Sequence, residues 1–385
     1  MPDRPLRVAL YTEVFLPKID GIVRIMCLTL EHLRRIGAEA IVFAAGDHVE
    51  SYAGYPVVSI RGMPFPLYPE LTMAIPGKRH RQQLAQFDPD LVHVLNPAFT
   101  GTRGIHHARA LDKPVIASFH TNVMAGAKFY GLGFLEAPLW QIHRLIYQQA
   151  DHVLATSRHM VQELEAHGFG GVGLWRRGVH AGQFAPAFRS DQMRARISSG
   201  NSDQTILLYV GRLAAEKRIE AIRDILDAVP GTHLALVGDG PHRPKLEAHF
   251  AGRSVSFNGY MSGEDLSAAY ASADIFVFPA SPFETFGLVA AEAMASGLAV
   301  VSSRVGGMPE IITHGESGYL FPWDDSDAMI AHVRDLVEHP HRRVQIGQAA
   351  RQAIAPLTWT AIMDELFTTY EDVISAHQTR RRHSA

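Results

Sequence analysis

"SPFETFGLVAAEAMASGLAVV", residues 281–301, sets two glutamates, Glu284 and Glu292, around a run of small apolar residues, with Gly287 between them and Gly297 just beyond. The preceding "ADIFVFPA" reads as a buried strand, "GLVAAEAMASG" as a helix stopped by Gly297, and "LAVVSS" as the next strand. Strands this apolar on either side of a helix belong to a parallel sheet covered on both faces. Glu284 then falls in the strand-to-helix loop, where the helix dipole favours a carboxylate. Glu292 falls about a turn and a half inside the helix, among Ala, Met and Leu. A charge in so apolar a helix needs a partner, and the rest of the chain has to supply it.

The same pattern recurs on both sides. "LRVALYTE", "EAIVFAA", "DLVHVLNP", "KPVIASFH" and "DHVLATS" read as strands in the first half. "TILLYVG", "HLALVGDG", "SVSFNG", "DIFVFPA", "LAVVSS" and "GYLFP" read as strands in the second, and segments such as "GEDLSAAYASA" carry helical periodicity. Two such series predict an α/β protein of two doubly wound Rossmann-like domains, residues 1–185 and residues 200–357. "LTWTAIMDELFTTYEDVISAHQ" predicts one amphipathic helix over residues 358–380, crossing back onto the first domain, and "TRRRHSA" reads as a short solvated tail. Ligands in this architecture lie at the carboxyl ends of strands.

Composition narrows the function classes. The 36 Lys and Arg residues against 39 Asp and Glu give a net charge of −3, so no global field draws the chain to nucleic acid. Cys27 stands alone, which excludes an internal disulfide and suits a reducing compartment. "MPDRPLRVALYTE" lacks the features of a signal peptide, and no apolar run approaches the roughly 20 residues of a membrane span. The expectation is a cytoplasmic protein that can touch the inner face of a membrane.

Several strand ends carry candidate chemistry. "VGRLAAEKRIE" sets Arg212 and Lys217 where the next helix should begin, a planar fork and a point charge suited to a diphosphate. "VGDGP" puts Gly238 in a strand-end turn but does not complete a G-x-G-x-x-G fingerprint. "FLPKIDGIVRIM" puts Gly21 at a loop-to-helix junction, either an ordinary tight turn or a point where backbone N–H groups approach an anion. "ASFHTN" ends a strand with His120, either a structural histidine or one at the ligand end of the sheet. The two D-x-D patterns, Asp88/Asp90 and Asp325/Asp327, read as a turn and a helix cap rather than a metal site. One cysteine leaves no zinc spacing, and no G-x-S-x-G elbow is present.

Taken in order, "DGIVR", "FHT", "VGRLAAEK", "VGDGP" and "ETFGLVAAEAMASG" resemble the retaining glycosyltransferases of the GT-B fold, whose hallmark E-x7-E is matched by Glu284 and Glu292. The resemblance covers essentially the whole chain. "LWRRGVHAGQFAPAFRSDQMRARIS" and "GYMSGEDLSAAYASADIFVFP" look most like the sulfoquinovosyltransferases and the GDP-mannose-dependent α-mannosyltransferases. It implies two Rossmann-like domains facing across a cleft and a UDP- or GDP-sugar donor used as substrate, with no cofactor and no metal. By the same resemblance Glu292 takes the ribose hydroxyls, Glu284 the sugar hydroxyls, and the backbone of Phe286, Gly287 and Leu288 the sugar and distal phosphate. Arg212 and Lys217 hold the diphosphate, His120 lies beside the sugar, and Gly21 and Gly238 line the donor. "HTN" departs from the family in carrying Asn122 where many members have an acid.

Fixed cations and helix-end donors can neutralise a departing diphosphate without a metal. Retention commonly implies a carboxylate nucleophile, yet both glutamates are assigned to binding, so a front-face displacement is the family expectation. The acceptor is expected to be a lipid or a glycan. "NVMAGAKFYGLGFLEAPLWQIHRLIY", with Phe129, Tyr130, Phe134 and Trp140, reads as core packing or as an acceptor- or lipid-facing surface, the latter supported by "GKRHRQQ". Two rivals stand beside this reading. One is an inactive nucleotide-sugar-binding protein on the same fold. The other is a nicotinamide-dependent oxidoreductase, which the incomplete glycine fingerprint disfavours.

Overall fold

The computed structural model describes residues 4–18, 20–65, 68–129 and 131–384. The chain divides into two compact units. The first comprises Met1–Met124, Leu132–Arg176 and Ile362–Ala385, and the second Ala125–Gly131 and Arg177–Ala361. The main crossover thus falls at Arg176–Arg177, a few residues before the expected end of the first domain at residue 185.

In the first unit the strands are β1 (Arg7–Thr12), β2 (Glu39–Ala45), β3 (Ser51–Tyr52), β4 (Tyr55–Ile60), β5 (Gly62–Phe65), β6 (Tyr68–Ala74), β7 (Leu91–Leu95), β8 (Val115–Phe119), β9 (His152–Ala155) and β10 (Val172–Leu174). Eight of them form one sheet in the order β10-β9-β8-β7-β1-β2-β4-β3, parallel except where β3 turns back on β4, and β5 and β6 form a separate hairpin. Strand order reverses between β1 and β7, the position at which a doubly wound sheet opens a crevice. The sheet interior is apolar: Val8, Leu10, Val92, Val94 and Ile116 are fully buried, and Tyr11 stacks on Phe43 at 4.6 Å. One buried acid breaks this pattern. Glu13, just past β1, accepts from the backbone N–H of Ala98, Thr100 and Gly101, filling the N-terminus of the helix Thr100–Ala110 with the protein's own carboxylate. Burial pushes the Glu13 carboxyl up, and those three amides oppose the shift.

The second unit contains β11 (Thr205–Val210), β12 (Thr232–Val237), β13 (Val255–Phe257), β14 (Ile275–Phe278), β15 (Ala299–Ser303) and β16 (Tyr319–Phe321). They form an all-parallel sheet in the order β13-β12-β11-β14-β15-β16, reversing between β11 and β14. The helix Leu288–Ala295 lies almost wholly in the core of this unit, which explains why its sequence is apolar all round.

The C-terminal helix runs from Trp359 to Ser384 and belongs to the first unit from Ile362 onward. Arg380 pairs with Asp151 at 2.6 Å and Arg381 with Asp112 at 2.6 Å. "TRRRHS" is therefore the last turns of a helix rather than a tail, because carboxylates of the first unit meet its arginines.

Candidate functional site

The strand-order reversal of the second unit brings two loops together, one after β11 and one after β14. Tyr209 donates its hydroxyl to the Arg212 carbonyl at 3.2 Å, bracing the first loop, and the Ser281 N–H donates to the Glu216 carbonyl at 3.3 Å, tying the two loops to one another. The helix expected at Arg212–Lys217 does not start there. A 3-10 turn at Ala215–Lys217 comes first, Arg218 takes a left-handed conformation at φ 51°, and the helix begins only at Ile222. This break holds Lys217 over the β14 loop instead of sending it along a helix face.

Lys217 and Glu284 form the centre of the site. Lys217 Nζ donates to Glu284 Oε2 at 2.7 Å, and the other oxygen, Oε1, accepts from the backbone N–H of Gly287 at 3.0 Å and of Phe286 at 3.3 Å. The side chains are 22% and 14% exposed. Burial alone would raise the Glu284 carboxyl, but the Lys217 ammonium and the two amides outweigh it and hold the group below the usual carboxylate range. The Phe286 and Gly287 amides, expected at the sugar and distal phosphate, thus serve Glu284 in this structure. Leu288 follows as the first helical residue. Arg212 donates through Nη2 to Glu216 at 2.6 Å, and Glu216 is only 2% exposed.

Glu292 has the partner that its apolar helix demanded: Tyr270, fully buried on the helix Gly263–Ser272, donates its hydroxyl to Glu292 Oε2 at 3.0 Å. Glu292 itself is 3% exposed. Gly238 has a steric reason for its place. Its φ is 134°, and a Cβ there would lie 2.0 Å from the Gly211 carbonyl oxygen, so β11 and β12 can run this close at their ends only without a side chain.

Sequence reasoning missed three parts of this site. Glu216 was hidden beside the more conspicuous Lys217. Tyr270 lies on a different helix from the glutamate it serves. Gly306 and Gly307, in "VGGMPE" after β15, back the Glu284 loop: a Cβ on Gly306 would meet the Glu284 carbonyl at 2.4 Å, and one on Gly307 the Phe286 ring at 2.6 Å. A Gly-Gly pair at a strand's carboxyl end was the available signal.

The remaining candidates belong to the first unit, apart from the Asp325/Asp327 pattern of the second. His120 follows β8 and is 8% exposed; its Nε2 lies 2.7 Å from Ser118 Oγ, and its backbone N–H donates to Asn96 Oδ1 at 3.2 Å. Asn122 donates to both oxygens of Glu163 at 3.2 Å, so the departure from "HT-acid" places an amide against an acid from a neighbouring helix. Gly21 opens the helix Gly21–Arg35, where Asp20 supplies the cap by accepting from the Val23 N–H. Nothing lies within 4 Å of a Cβ built on Gly21, so close packing does not require a glycine there. Asp88 takes the left-handed C-cap position of a helix and Asp325 caps another by accepting from the Ala328 N–H, the turn and cap roles read for the two D-x-D patterns. Tyr130 and the side chain of Phe129 lie outside the described residues.

Comparison with known proteins joins these observations. The pattern of the family "Glycosyl transferases group 1" matches residues 191–353, and that of "Glycosyltransferase Family 4" matches residues 19–183. A GDP-mannose-dependent alpha-mannosyltransferase of Mycobacterium tuberculosis is 35% identical over 382 residues, covering 97% of this chain and 99% of that protein. This chain belongs to the group 1 glycosyltransferases. The sulfoquinovosyl transferase SQD2 of Arabidopsis thaliana is another relative, 34% identical over 93% of this chain and 72% of that protein. Among solved structures, Anabaena HepE in complex with UDP-glucose superposes with a TM-score of 0.76 at 17% identity, covering 95% of this chain and all of that one. That likeness establishes the GT-B fold for this glycosyltransferase.

Proposed function

We propose that this glycosyltransferase moves a hexose-type sugar, with retention and without a metal, from a UDP- or GDP-sugar to a hydroxyl of a lipid or glycan acceptor. The observation that carries the donor half is the Lys217–Glu284 pair at the strand-order reversal of the second unit, with Arg212 beside it. An ammonium has three donors and Glu284 takes one, so Lys217 can hold a carboxylate and a phosphate oxygen together. As the diphosphate departs, its growing charge meets a cation already fixed in position, which costs no reorganisation. Glu284 is ionised and partly exposed, as an acceptor of sugar hydroxyl protons must be. Glu292 is assigned to the ribose hydroxyls, with Tyr270 holding its second oxygen. The relatives' printed donor and product names, GDP-mannose and sulfoquinovosyl, support a nucleotide-linked hexose.

The acceptor half rests on the first unit. The helix Glu136–Tyr147 buries Trp140 and Tyr147 but exposes Ile142 and Leu145, and Phe134 just before it is 76% exposed. The segment is thus partly core and partly open apolar surface, the part that favours a lipid-facing role. Lys78, Arg79 and Arg81 are exposed on the helix Lys78–Phe87, which suits an anionic membrane face. A cleft of about 300 Å³ lined by Ile75, Ala98, Phe99, Thr102, Arg103 and His106 offers apolar and cationic groups together. Among the described residues no helix is long and apolar enough to cross a membrane, so such contact would be peripheral.

Hydrolysis and transfer assays over a panel of UDP- and GDP-sugars, with and without anionic vesicles, test the reading. Turnover of one donor with release of the matching diphosphate is expected. Tight donor binding with no release under any condition would favour an inactive binding protein instead.

A further inference from the structure

We propose that Tyr370, His93 and Ser118 form a proton-ordered chain that holds His120 as the neutral tautomer protonated on Nδ1, making them positioning residues for the sugar side of the site. The functional weight of this inference rests on the reading of His120 given above, whereas its structural content does not.

The geometry is continuous. Tyr370 OH lies 2.6 Å from His93 Nδ1, His93 Nε2 lies 2.9 Å from Ser118 Oγ, and Ser118 Oγ lies 2.7 Å from His120 Nε2. Sheet register accounts for it. Ser118 pairs with Leu95 across β7 and β8, so the residues two positions away on each strand, His93 and His120, share its face. Tyr370 reaches that face from the C-terminal helix. Tyr370 and His93 are fully buried, Ser118 is 1% exposed, and the Trp175 ring packs near both imidazoles at 5.4 and 5.5 Å.

Direction follows from counting protons. Burial pushes the Tyr370 phenol up, so it keeps its proton. Its hydroxyl has a single hydrogen-bond partner among the described residues, His93 Nδ1, so the proton must point there. His93 then carries its own proton on Nε2 and donates to Ser118 Oγ. The Ser118 hydroxyl has one proton, which goes to the remaining neighbour, His120 Nε2. That nitrogen is an acceptor, and the His120 proton sits on Nδ1. Reversing the chain would leave the Tyr370 proton buried without an acceptor. Protonating His120 would demand the same reversal or leave the buried Ser118 hydroxyl proton without an acceptor, so the chain also favours the neutral ring.

The test uses the full-length protein with ¹⁵N-labelled histidine and long-range ¹H–¹⁵N correlations, which distinguish Nδ1–H, Nε2–H and doubly protonated rings. Near-neutral pH should show His120 as Nδ1–H in the unaltered protein. Tyr370→Phe and Ser118→Ala should each move it toward Nε2–H or a mixture. With the donor found by the panel, Tyr370→Phe should lower kcat about tenfold or more while the donor KM holds. His120 found as Nε2–H or doubly protonated in the unaltered protein overturns the chain, as does an unchanged tautomer in a folded Ser118→Ala variant. If no sugar is turned over, the enzymatic reading fails while the tautomer measurement still decides the chain. A correct tautomer with unchanged kcat in Tyr370→Phe refutes its catalytic relevance.

Discussion

Replacing Glu284 by glutamine and Lys217 by methionine, singly and together, measures how far the two halves of the donor site act as one. The pair spans 2.7 Å between side chains that are 14% and 22% exposed, so solvent screens it only in part. Hydrogen bonds to charged groups contribute about 1.5–3 kcal/mol. Glutamine keeps an oxygen for the Gly287 and Phe286 amides but loses the charge facing Lys217. A coupling energy of about 2 kcal/mol is therefore expected in the double-mutant cycle. Each single variant should melt about 4–8 °C lower if the second unit unfolds as one domain of ordinary size. Ligand binding gives a sharper outcome. From sequence alone Glu284 reads the sugar and should leave free UDP or GDP untouched. The ion pair says otherwise: Glu284 sets a negative charge beside the Lys217 donors left for a phosphate, and glutamine removes that repulsion without removing the ammonium. Glu284→Gln should weaken the intact donor yet tighten the matching free diphosphate by about threefold or more, as read by calorimetric titration. Strict additivity in the cycle, or an unchanged diphosphate affinity, would refute this account.

Acidification should report the same carboxylate. The Glu284 pKa is depressed below its ordinary 4.5, so its stabilisation is present above that value and is lost as pH falls through the folded-state pKa; Glu284→Gln should flatten that part of a stability–pH curve from urea titrations. Gly238→Ala, which drives a Cβ to 2.0 Å from the Gly211 carbonyl oxygen, should cost about 3 kcal/mol or more or prevent soluble expression. Gly21→Ala, with open space around it, should change stability by less than about 1 kcal/mol, so any loss of turnover would speak for an anion contact. Tyr270→Phe should cost about 1–3 kcal/mol by stripping a donor from buried Glu292, and nucleotide titration of the folded variant shows whether Glu292 still reads ribose. Turnover should persist in excess EDTA; loss restored by Mg²⁺ or Mn²⁺ would give the Asp88/Asp90 or Asp325/Asp327 patterns a role beyond their turns and caps.

The strands were legible because burial on both faces leaves continuous runs such as "TILLYV" and "DIFVF", a signal carried entirely within one segment. The short edge strands β3 and β10 lack that signal, since their residues are exposed or half-exposed, and Gly62, Met63 and Pro64 of β5 are exposed. Site residues with conspicuous chemistry at strand ends, Arg212, Lys217, Glu284 and His120, could be found in the same way. Their partners could not. Glu216, Tyr270, Ser118 and His93 matter through contacts set by register or by helix packing, which a linear reading does not encode. The C-terminal arginines are exposed, as read, but belong to a helix and not a tail, and their ion-pair partners, Asp112 and Asp151, lie more than two hundred residues upstream.

The C-terminal helix also sets the order in which the protein can be made. Ile362, Met363, Leu366 and Tyr370 are buried, and from Ile362 onward the helix is grouped with the first unit. A ribosome delivers the strands of that unit first and these side chains last, so the nascent first unit waits with His93 lacking Tyr370 while the second is completed. Domains ordinarily fold in the order of their synthesis. Here the second unit can close before the first, and a fragment ending near residue 176 would expose the apolar seat of the missing helix to whatever chaperone or aggregate finds it.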